Sequence, residues 1–132
     1  MYEYEGEKEI TLPKNLYIIG TMNTADRSLA IVDYALRRRF EFITLEPQFN
    51  DAFRKHLMEK GISQNKANLV VQLFKELNAR ISKDKNLGKG FQIGHSYFCI
   101  DEINGSNFEQ RYQHIIRYEI VPLLEEYWFD NM

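Results

Sequence analysis

Eight consecutive residues near the start of the chain carry most of the side chains that could do chemistry. They run from Thr21 to Ser28, read TMNTADRS, and bring amide, hydroxyl, carboxylate and guanidinium groups into one short segment. The apolar run NLYIIGTM at residues 15–22 leads into it and is typical of a buried strand. Because open α/β sheets bind ligands at the carboxyl ends of their strands, this segment is a candidate site. The alternative is a polar turn in which Asp26 or Ser28 caps the next helix.

The elements that would position this segment form a strand, helix, strand unit. Ser28 can cap a helix that ends in the basic cluster Arg37-Arg38-Arg39, where cations interact favourably with the helix dipole. The next seven residues, FEFITLE at 40–46, alternate in polarity as a strand does. Two strands are too few for a complete domain, so residues 1–47 are predicted to be a remnant of an α/β unit and not a whole domain.

The second half of the chain, residues 48–132, has the pattern of a mostly α-helical lobe. Amphipathic stretches at 49–60 and 65–82 are followed by a glycine-rich segment and then by a last helix that Pro122 should kink or break. The predicted apolar stripe of the second stretch consists of Val70, Leu73, Phe74, Leu77 and Ile81. That of the last helix consists of Phe108, Tyr112, Ile115, Ile116, Ile120, Leu123, Leu124 and Tyr127.

Composition excludes several classes of protein. Lys and Arg number 17 against 19 Asp and Glu, so the formal net charge of −2 gives no overall attraction to nucleic acid. The single Cys99 cannot form an internal disulfide, and no apolar run approaches the roughly 20 residues of a membrane span. The first residues lack the features of a signal peptide. A cytoplasmic, prokaryotic protein with no membrane contact is expected.

Four segments of the chain together resemble the McrB family of AAA+ nucleotide hydrolases, the 5-methylcytosine-specific restriction subunits. They are MNTADRS, VDYALRRRF, LGKGFQIGHSYF and PLLEEYWF, and the resemblance extends from about Leu12 to the end of the chain. It implies that residues 1–47 are an AAA+ core remnant with the sensor 1 strand, a helix and a strand. Residues 48–132 would then be the AAA+ lid.

The resemblance also implies roles for residues of the first segment. Asn23 matches sensor 1, the polar residue beside the γ-phosphate that helps to orient the attacking water; an amide can both donate to phosphate and accept from water. Asp26 and Arg27 match the rest of the signature that accompanies use of GTP in this family, and Thr24 is expected to contact the nucleotide.

The basic cluster resembles an arginine-finger region, in which a guanidinium from one subunit reaches the γ-phosphate bound by its neighbour. Arg38 and Arg39, just before Phe40, are the candidates. A solvated basic helix end is the alternative for each of them. If one of them is a finger, the protein must form an oligomer.

In the lid, relatives within the AAA+ class often carry a second phosphate-sensing arginine near a helix start. This chain has Gly94-His95-Ser96 in the corresponding region, so His95 and Ser96 are the predicted nucleotide contacts there. Packing or capping is the alternative for His95.

Other suggestive segments are not expected to bind phosphate or metal. The chain has no GxxxxGK[ST], so Gly88-Lys89-Gly90 is not a phosphate-binding loop. The segment FCIDE at 98–102 looks like a Walker B strand but follows the sensor 1 segment, which is the wrong order for this family, and a loop is expected. The histidines and Cys99 are too scattered for a zinc site.

The resemblance therefore predicts the C-terminal part of a GTP hydrolase that powers modification-dependent DNA restriction. The parent would use GTP and Mg²⁺, form a homo-oligomeric ring, couple to a McrC-like nuclease and contact DNA through an N-terminal domain absent from this chain. The chain alone is expected to bind no cofactor tightly and to be inactive. The alternatives are a non-catalytic AAA+ remnant or adaptor, and an AAA+ remodelling protein that uses ATP.

Overall fold

Helices and loops make up the part of the chain that the computed structural model describes, which is residues 11–23, 25 and 34–129. The α-helices are α1 at Tyr34–Arg37, α2 at Asp51–Glu59, α3 at Gln64–Lys83, α4 at Phe108–Ile115 and α5 at Val121–Trp128. Two 3₁₀ turns, Lys89–Phe91 and His95–Phe98, lie between α3 and α4, and a π-helical segment, Ile116–Ile120, joins α4 to α5.

The two predicted strands are not formed within the described residues. Residues 15–22 and 40–46 have no ladder hydrogen bonds, and Ile19 and Leu45 are 94% and 91% exposed. A strand requires a hydrogen-bonded neighbour, and neither stretch has one in the described ranges, so the strand, helix, strand unit is not shown. Of the helix predicted between them, the structure describes only α1, because residues 26–33 lie outside the described residues.

The helix α2 begins where Asn50 caps it. The Asn50 side-chain oxygen accepts a hydrogen bond from the Phe53 N–H at 3.1 Å, which satisfies one of the free donors of the first turn. Phe53 and Leu57 form the buried face. The helix ends before Gly61, whose φ of 83° lies in the left-handed region that glycine adopts without strain.

The long helix α3 has Ser63 as its N-cap, with the Ser63 hydroxyl oxygen accepting from the Lys66 N–H at 3.4 Å. Most of the predicted stripe faces the core, but Leu73 is 46% exposed and is not part of it. The buried residues of α3 are Ala67, Val70, Val71, Phe74, Asn78 and Ile81. Asn78 is the one polar side chain buried among the described residues.

The predicted stripe of the last helix does pack on the core. Phe108, Ile115 and Ile120 are buried, and the other five predicted residues are partly buried against them. The regular α-helix is interrupted just before Pro122, which lies at the start of α5. The preceding residues widen into the π-helical segment, in which the Val121 N–H donates to the Ile116 carbonyl. Proline lacks an N–H and its ring collides with the carbonyl four residues earlier, and a wider turn relieves this conflict.

Aromatic side chains occupy the centre of the helical lobe. Phe74 stacks on Phe49 with ring centroids 5.1 Å apart and meets Phe98 edge-on at 5.0 Å. All three rings are at least 97% buried. Contacts of this geometry add to the gain from burying apolar area, so the segment just before α2, the helix α3 and the second 3₁₀ turn are held as one unit.

A close backbone contact fixes the loop before α4 to the end of α2. The Gly105 N–H donates to the Lys60 carbonyl at 2.9 Å, and a Cβ on Gly105 would lie 2.1 Å from the Gly61 oxygen. Lys60 Nζ lies 3.3 Å from both the Ile100 carbonyl and an Asp101 carboxylate oxygen. Only glycine fits at position 105 in this arrangement.

Candidate functional site

The described part of the TMNTADRS segment forms a local turn at Asn23. The Asn23 side-chain oxygen accepts from the Ala25 N–H at 3.0 Å, a short-range contact typical of asparagine in turns, and Asn23 is exposed. Thr24, Asp26 and Arg27 lie outside the described residues. The amide nitrogen of Asn23 makes no hydrogen bond within the described ranges, so this group is open to an acceptor.

Arg38 and Arg39 lie immediately after α1 and are exposed. The Arg39 backbone N–H donates to the Leu36 carbonyl at 3.0 Å, which closes the end of this helix. Neither guanidinium has an ion-pair partner among the described residues. Both side chains are therefore accessible to a neighbouring molecule, and both also fit the alternative of a solvated basic helix end.

His95 is the predicted site residue with the most defined surroundings. It begins the second 3₁₀ turn, and its Nδ1 accepts a hydrogen bond from the Gln48 backbone N–H at 3.0 Å. The imidazole meets the rings of Phe49 and Phe53 edge-on, at 6.3 and 6.1 Å between centroids. Since Nδ1 accepts, the hydrogen of the neutral ring lies on Nε2, which is then a donor.

The partner of His95 gives it a position at the boundary of the predicted domains. Gln48 follows Pro47 directly and is 47 residues from His95 in sequence. A change in the course of the chain at Pro47 and Gln48, called the hinge below, would therefore break or remake the contact with His95. Sequence reasoning did not find Gln48, because the group involved is a backbone N–H and no side-chain pattern marks it.

Ser96 adjoins His95 in the same 3₁₀ turn and is exposed. The Ser96 carbonyl accepts from the Cys99 N–H at 3.1 Å, which stabilises the turn. The predicted lid contacts are thus next to each other, on a turn whose Phe98 is fully buried. The structure brings together His95 and Ser96; in the described part of the chain, no hydrogen bond or ion pair joins them to Asn23, Arg38 or Arg39.

The segment that imitates a Walker B strand is a loop, as predicted. Residues 99–102 follow the 3₁₀ turn and enter a turn at Asp101, whose carboxylate pairs with Lys60. Desolvation raises the pKa of the half-buried Cys99 thiol, and the positive charge of Lys60 opposes this only in part. The described residues contain no group of three or more His, Cys, Asp or Glu side chains arranged to hold a metal ion.

Comparison with known proteins gives two matches. Residues 69–132 match the family described as "McrB, alpha-helical lid domain". Over 133 aligned positions that include 98% of this chain, the sequence is 49% identical to the "Type IV methyl-directed restriction enzyme EcoKMcrB subunit" of Escherichia coli (strain K12). The chain spans 29% of the length of that relative. Among the helices of the described ranges, none is both long and apolar enough to cross a membrane.

Proposed function

Because this chain is of the McrB type, with residues 69–132 forming the alpha-helical lid, we propose that it is the C-terminal part of a restriction subunit that hydrolyses GTP. In this proposal the lid closes over a nucleotide held by the AAA+ core. The observation that carries it is the contact between His95 and Gln48, which connects the predicted nucleotide-facing turn of the lid to the hinge.

The lid would recognise the phosphates through the first two residues of its second 3₁₀ turn. His95 receives the Gln48 N–H on Nδ1, which leaves the Nε2 hydrogen for a phosphate oxygen. The Ser96 hydroxyl, exposed on the same turn, is a second donor. Phe49 and Phe53 fix the plane of the imidazole, so the donor is held in place before nucleotide arrives.

The segment before the lid would complete the site. Asn23 orients the attacking water with its amide, and Thr24 contacts the nucleotide. Asp26 and Arg27 take the remaining positions of the family signature, although they and Thr24 lie outside the described residues. Arg38 or Arg39 crosses to the neighbouring subunit and stabilises charge on the transferred phosphoryl group. The exposure of both arginines supports this assignment.

Magnesium and the triphosphate cradle would come from parts of the protein outside these residues. The chain has no GxxxxGK[ST], and the described residues offer no cluster of metal ligands. When bound, Mg²⁺ neutralises charge on the β- and γ-phosphates. The same proposal includes a homo-oligomeric ring, a McrC-like nuclease partner, DNA contact through an N-terminal domain and a cytoplasmic location.

A second candidate is a non-catalytic adaptor that joins a ring and donates only an arginine. Arg38 and Arg39 are exposed and have no ion-pair partner within the described ranges, which is compatible with this candidate. The two candidates differ in whether function requires the Asn23 amide. A motor subunit needs its amide for hydrolysis at its own site, whereas an adaptor that contributes only an arginine does not.

The test uses the full-length protein and the 132-residue chain side by side. We expect GTP hydrolysis by the full-length protein and none by the chain alone. In the full-length protein, Asn23→Ala should slow turnover on the order of 10²-fold while nucleotide binding changes little, because the amide acts on developing charge. Asn15→Ala is the matched control. Turnover by the isolated chain, or equal losses of binding and turnover in Asn23→Ala, would contradict the proposal.

A further inference from the structure

The outer side of α4 and of the π-helical segment carries a row of hydrogen-bond donors that the proposed function does not use. An open cavity of about 420 Å³ lies along it, and among the described residues only polar side chains line this cavity. Two further donors, Arg117 and Tyr118, follow on the next turn and are exposed. We call this surface the α4 basic face, and it consists of Asn107, Gln110, Arg111, His114, Arg117 and Tyr118.

Helical spacing and ring contacts make this surface continuous. Arg111, His114 and Arg117 follow one another at intervals of three residues, and helical neighbours of this kind lie about 5–6 Å apart at Cβ. The His114 and Tyr118 ring centroids are 5.0 Å apart, and the Arg117 guanidinium lies 5.5 Å from the centre of the Tyr118 ring. This cation–π contact is attractive, so the Tyr118 ring holds Arg117 close to His114.

No acidic side chain neutralises the two arginines of this face. The ion pairs formed among the described residues include neither Arg111 nor Arg117. Three and four residues from each arginine, where helices usually pair opposite charges, the sequence has no Asp or Glu. Of the nearest acids in sequence, Glu109 pairs with Lys66 of α3 at 2.6 Å, and Glu119 is exposed. The face is therefore a local positive patch on a chain whose formal net charge is −2.

Most of the donors of the α4 basic face are free to bind an acceptor. The Asn107 amide is used within the chain, since its nitrogen donates to the Glu102 carbonyl at 2.6 Å and its oxygen accepts from the Asn104 N–H at 2.9 Å. Gln110 makes no side-chain hydrogen bond in the described ranges, and Tyr118 is 61% exposed. Arg, Gln and Tyr are among the side chains that contact the phosphate oxygens of DNA.

The chemistry of the surface favours a nucleic-acid backbone over a protein partner. Stable protein interfaces have an apolar centre with a few buried anchors, whereas protein–DNA interfaces are more polar, positively charged and hydrated. On the α4 basic face the Tyr118 ring is the one large apolar group, and the cavity beside it is lined by amide, guanidinium and imidazole groups. An acidic protein segment would find cations here but no pocket for an apolar anchor.

We propose that the α4 basic face binds the phosphate backbone of duplex DNA, with Arg111 and Arg117 each contacting a phosphate. The two residues are about 9 Å apart along the helix axis, so they repel each other, and phosphates bound between and beside them remove this repulsion. The choice of DNA among nucleic acids rests on the proposed function, in which the parent protein acts on DNA. Because phosphates are the same in every sequence, this contact holds DNA without reading it, and recognition of modified bases is left to the N-terminal domain.

The experiment measures binding of a labelled, unmodified DNA duplex by fluorescence anisotropy, with the 132-residue chain and with the full-length protein. We expect the chain alone to bind with a dissociation constant of about 10⁻⁴ to 10⁻⁶ M, the range of non-specific binding, at salt concentrations between about 50 and 200 mM. The double variant Arg111→Gln, Arg117→Gln should weaken binding about 10-fold at the lowest salt. It should also reduce the slope of log affinity against log salt by about 2, because two phosphate contacts are lost.

The matched control removes two positive charges elsewhere. Arg80→Gln, Lys83→Gln at the end of α3 changes the net charge equally and should leave the slope unchanged. Circular dichroism verifies that both variants are folded. If the isolated chain does not fold, the full-length protein decides, since the same difference of about 2 between the slopes of the two variants is expected there.

The outcomes separate this inference from the proposed function. Equal slopes for the two double variants, or no binding of DNA, would overturn the assignment of the α4 basic face and leave GTP hydrolysis by the parent protein standing. Polyglutamate is the competitor that represents an acidic protein partner. Displacement of DNA by polyglutamate at an equal concentration of negative charge would show that the face binds acidic protein, and this result would also overturn the inference.

Discussion

Asn78 on α3 holds the backbone of Ile93 through two hydrogen bonds. Its Nδ2 donates to the Ile93 carbonyl at 2.9 Å, and its Oδ1 accepts from the Ile93 N–H at 2.7 Å. Asn78 is only 6% exposed, so the peptide of Ile93 has no water to replace it. Because Ile93 precedes His95 by two residues, this pair positions the turn that carries the predicted phosphate contacts.

Replacing Asn78 with alanine should destabilise the lid by about 2–4 kcal/mol, because a buried N–H and a buried carbonyl would both lose their partner. Urea unfolding followed by circular dichroism gives the free energy of unfolding. Asn65→Ala, exposed on the same helix, is the matched control and should change it by less than about 0.5 kcal/mol. Equal effects of the two substitutions would show that the Asn78 contacts do not stabilise the fold.

Replacing Gly105 with alanine should cost about 1–3 kcal/mol, because the new Cβ would overlap the Gly61 carbonyl and the loop would have to move. Gly20→Ala is the control, since a Cβ there meets no atom within 4 Å. Thermal unfolding of both variants measures the difference. The Gly105 variant should also lose the Gly105 to Lys60 hydrogen bond, which amide hydrogen exchange detects as faster exchange at residue 105.

The contact between Asp84 and Trp128 should make stability depend on pH. The Trp128 indole N–H donates to the Asp84 carboxylate at 2.9 Å and, with the Asn86 N–H, holds the pKa of Asp84 below its ordinary value. A carboxyl with a lowered folded pKa contributes stability above its unfolded pKa and loses it as the pH falls through the folded pKa. The loss is therefore expected below about pH 4.

Trp128→Phe should reduce this acid-side dependence while Tyr127→Phe, the neighbouring substitution, should preserve it. Urea unfolding at a series of pH values between about 3 and 6 gives the free energy of unfolding of each variant as a function of pH. The slope of this dependence is compared with that of the unchanged protein. If the free energy of unfolding depends on pH equally in Trp128→Phe and in the unchanged protein, the indole does not lower the pKa of Asp84.

The arginine-finger assignment can be tested by mixing subunits. Full-length protein with Arg39→Ala is combined with full-length protein that lacks its Walker B carboxylates, each inactive as a pure ring. In a mixed ring, an Arg39→Ala subunit with intact Walker B carboxylates can lie beside a subunit that has an intact Arg39, and this interface forms one complete site. GTP hydrolysis should therefore return when the two variants are mixed at intermediate ratios. The same mixture with Arg38→Ala identifies which arginine reaches the phosphate. Near-normal turnover by pure rings of both variants would exclude both arginines.

The helices of the lid could be predicted from sequence within one or two residues, because their apolar periodicity and caps are local. Stretches predicted at 49–60 and 65–82 are observed as Asp51–Glu59 and Gln64–Lys83. The strands predicted at 15–22 and 40–46 are not formed in the described residues, since a strand depends on a pairing partner and these stretches have none there.

The residues of the candidate site remain a prediction from the resemblance, and the backbone groups that hold them could not be predicted from the sequence. The resemblance predicts His95 and Ser96, but the Gln48 N–H that holds His95 lies 47 residues away in sequence and belongs to the backbone, which no side-chain pattern marks. Asn78 did leave a signal: it is four residues after Phe74 and three before Ile81, a polar residue on an apolar face. The position of its partner, Ile93, depends on loop geometry.

The π-helical segment Ile116–Ile120 accommodates one more residue between the buried Ile115 and Ile120 than a regular α-helix with both side chains on the core would. Ile115 and Ile120 are both buried although five α-helical residues would turn their side chains roughly 140° apart. The wider turn reduces this difference. Arg117, Tyr118 and Glu119 are exposed within it, and the stability of the fold should tolerate many side chains there. Deleting any one of them would leave four residues from Ile115 to Ile120, which are about 40° apart in an α-helix, so α5 would keep its buried face and only the relief that the wide turn gives Pro122 would be lost.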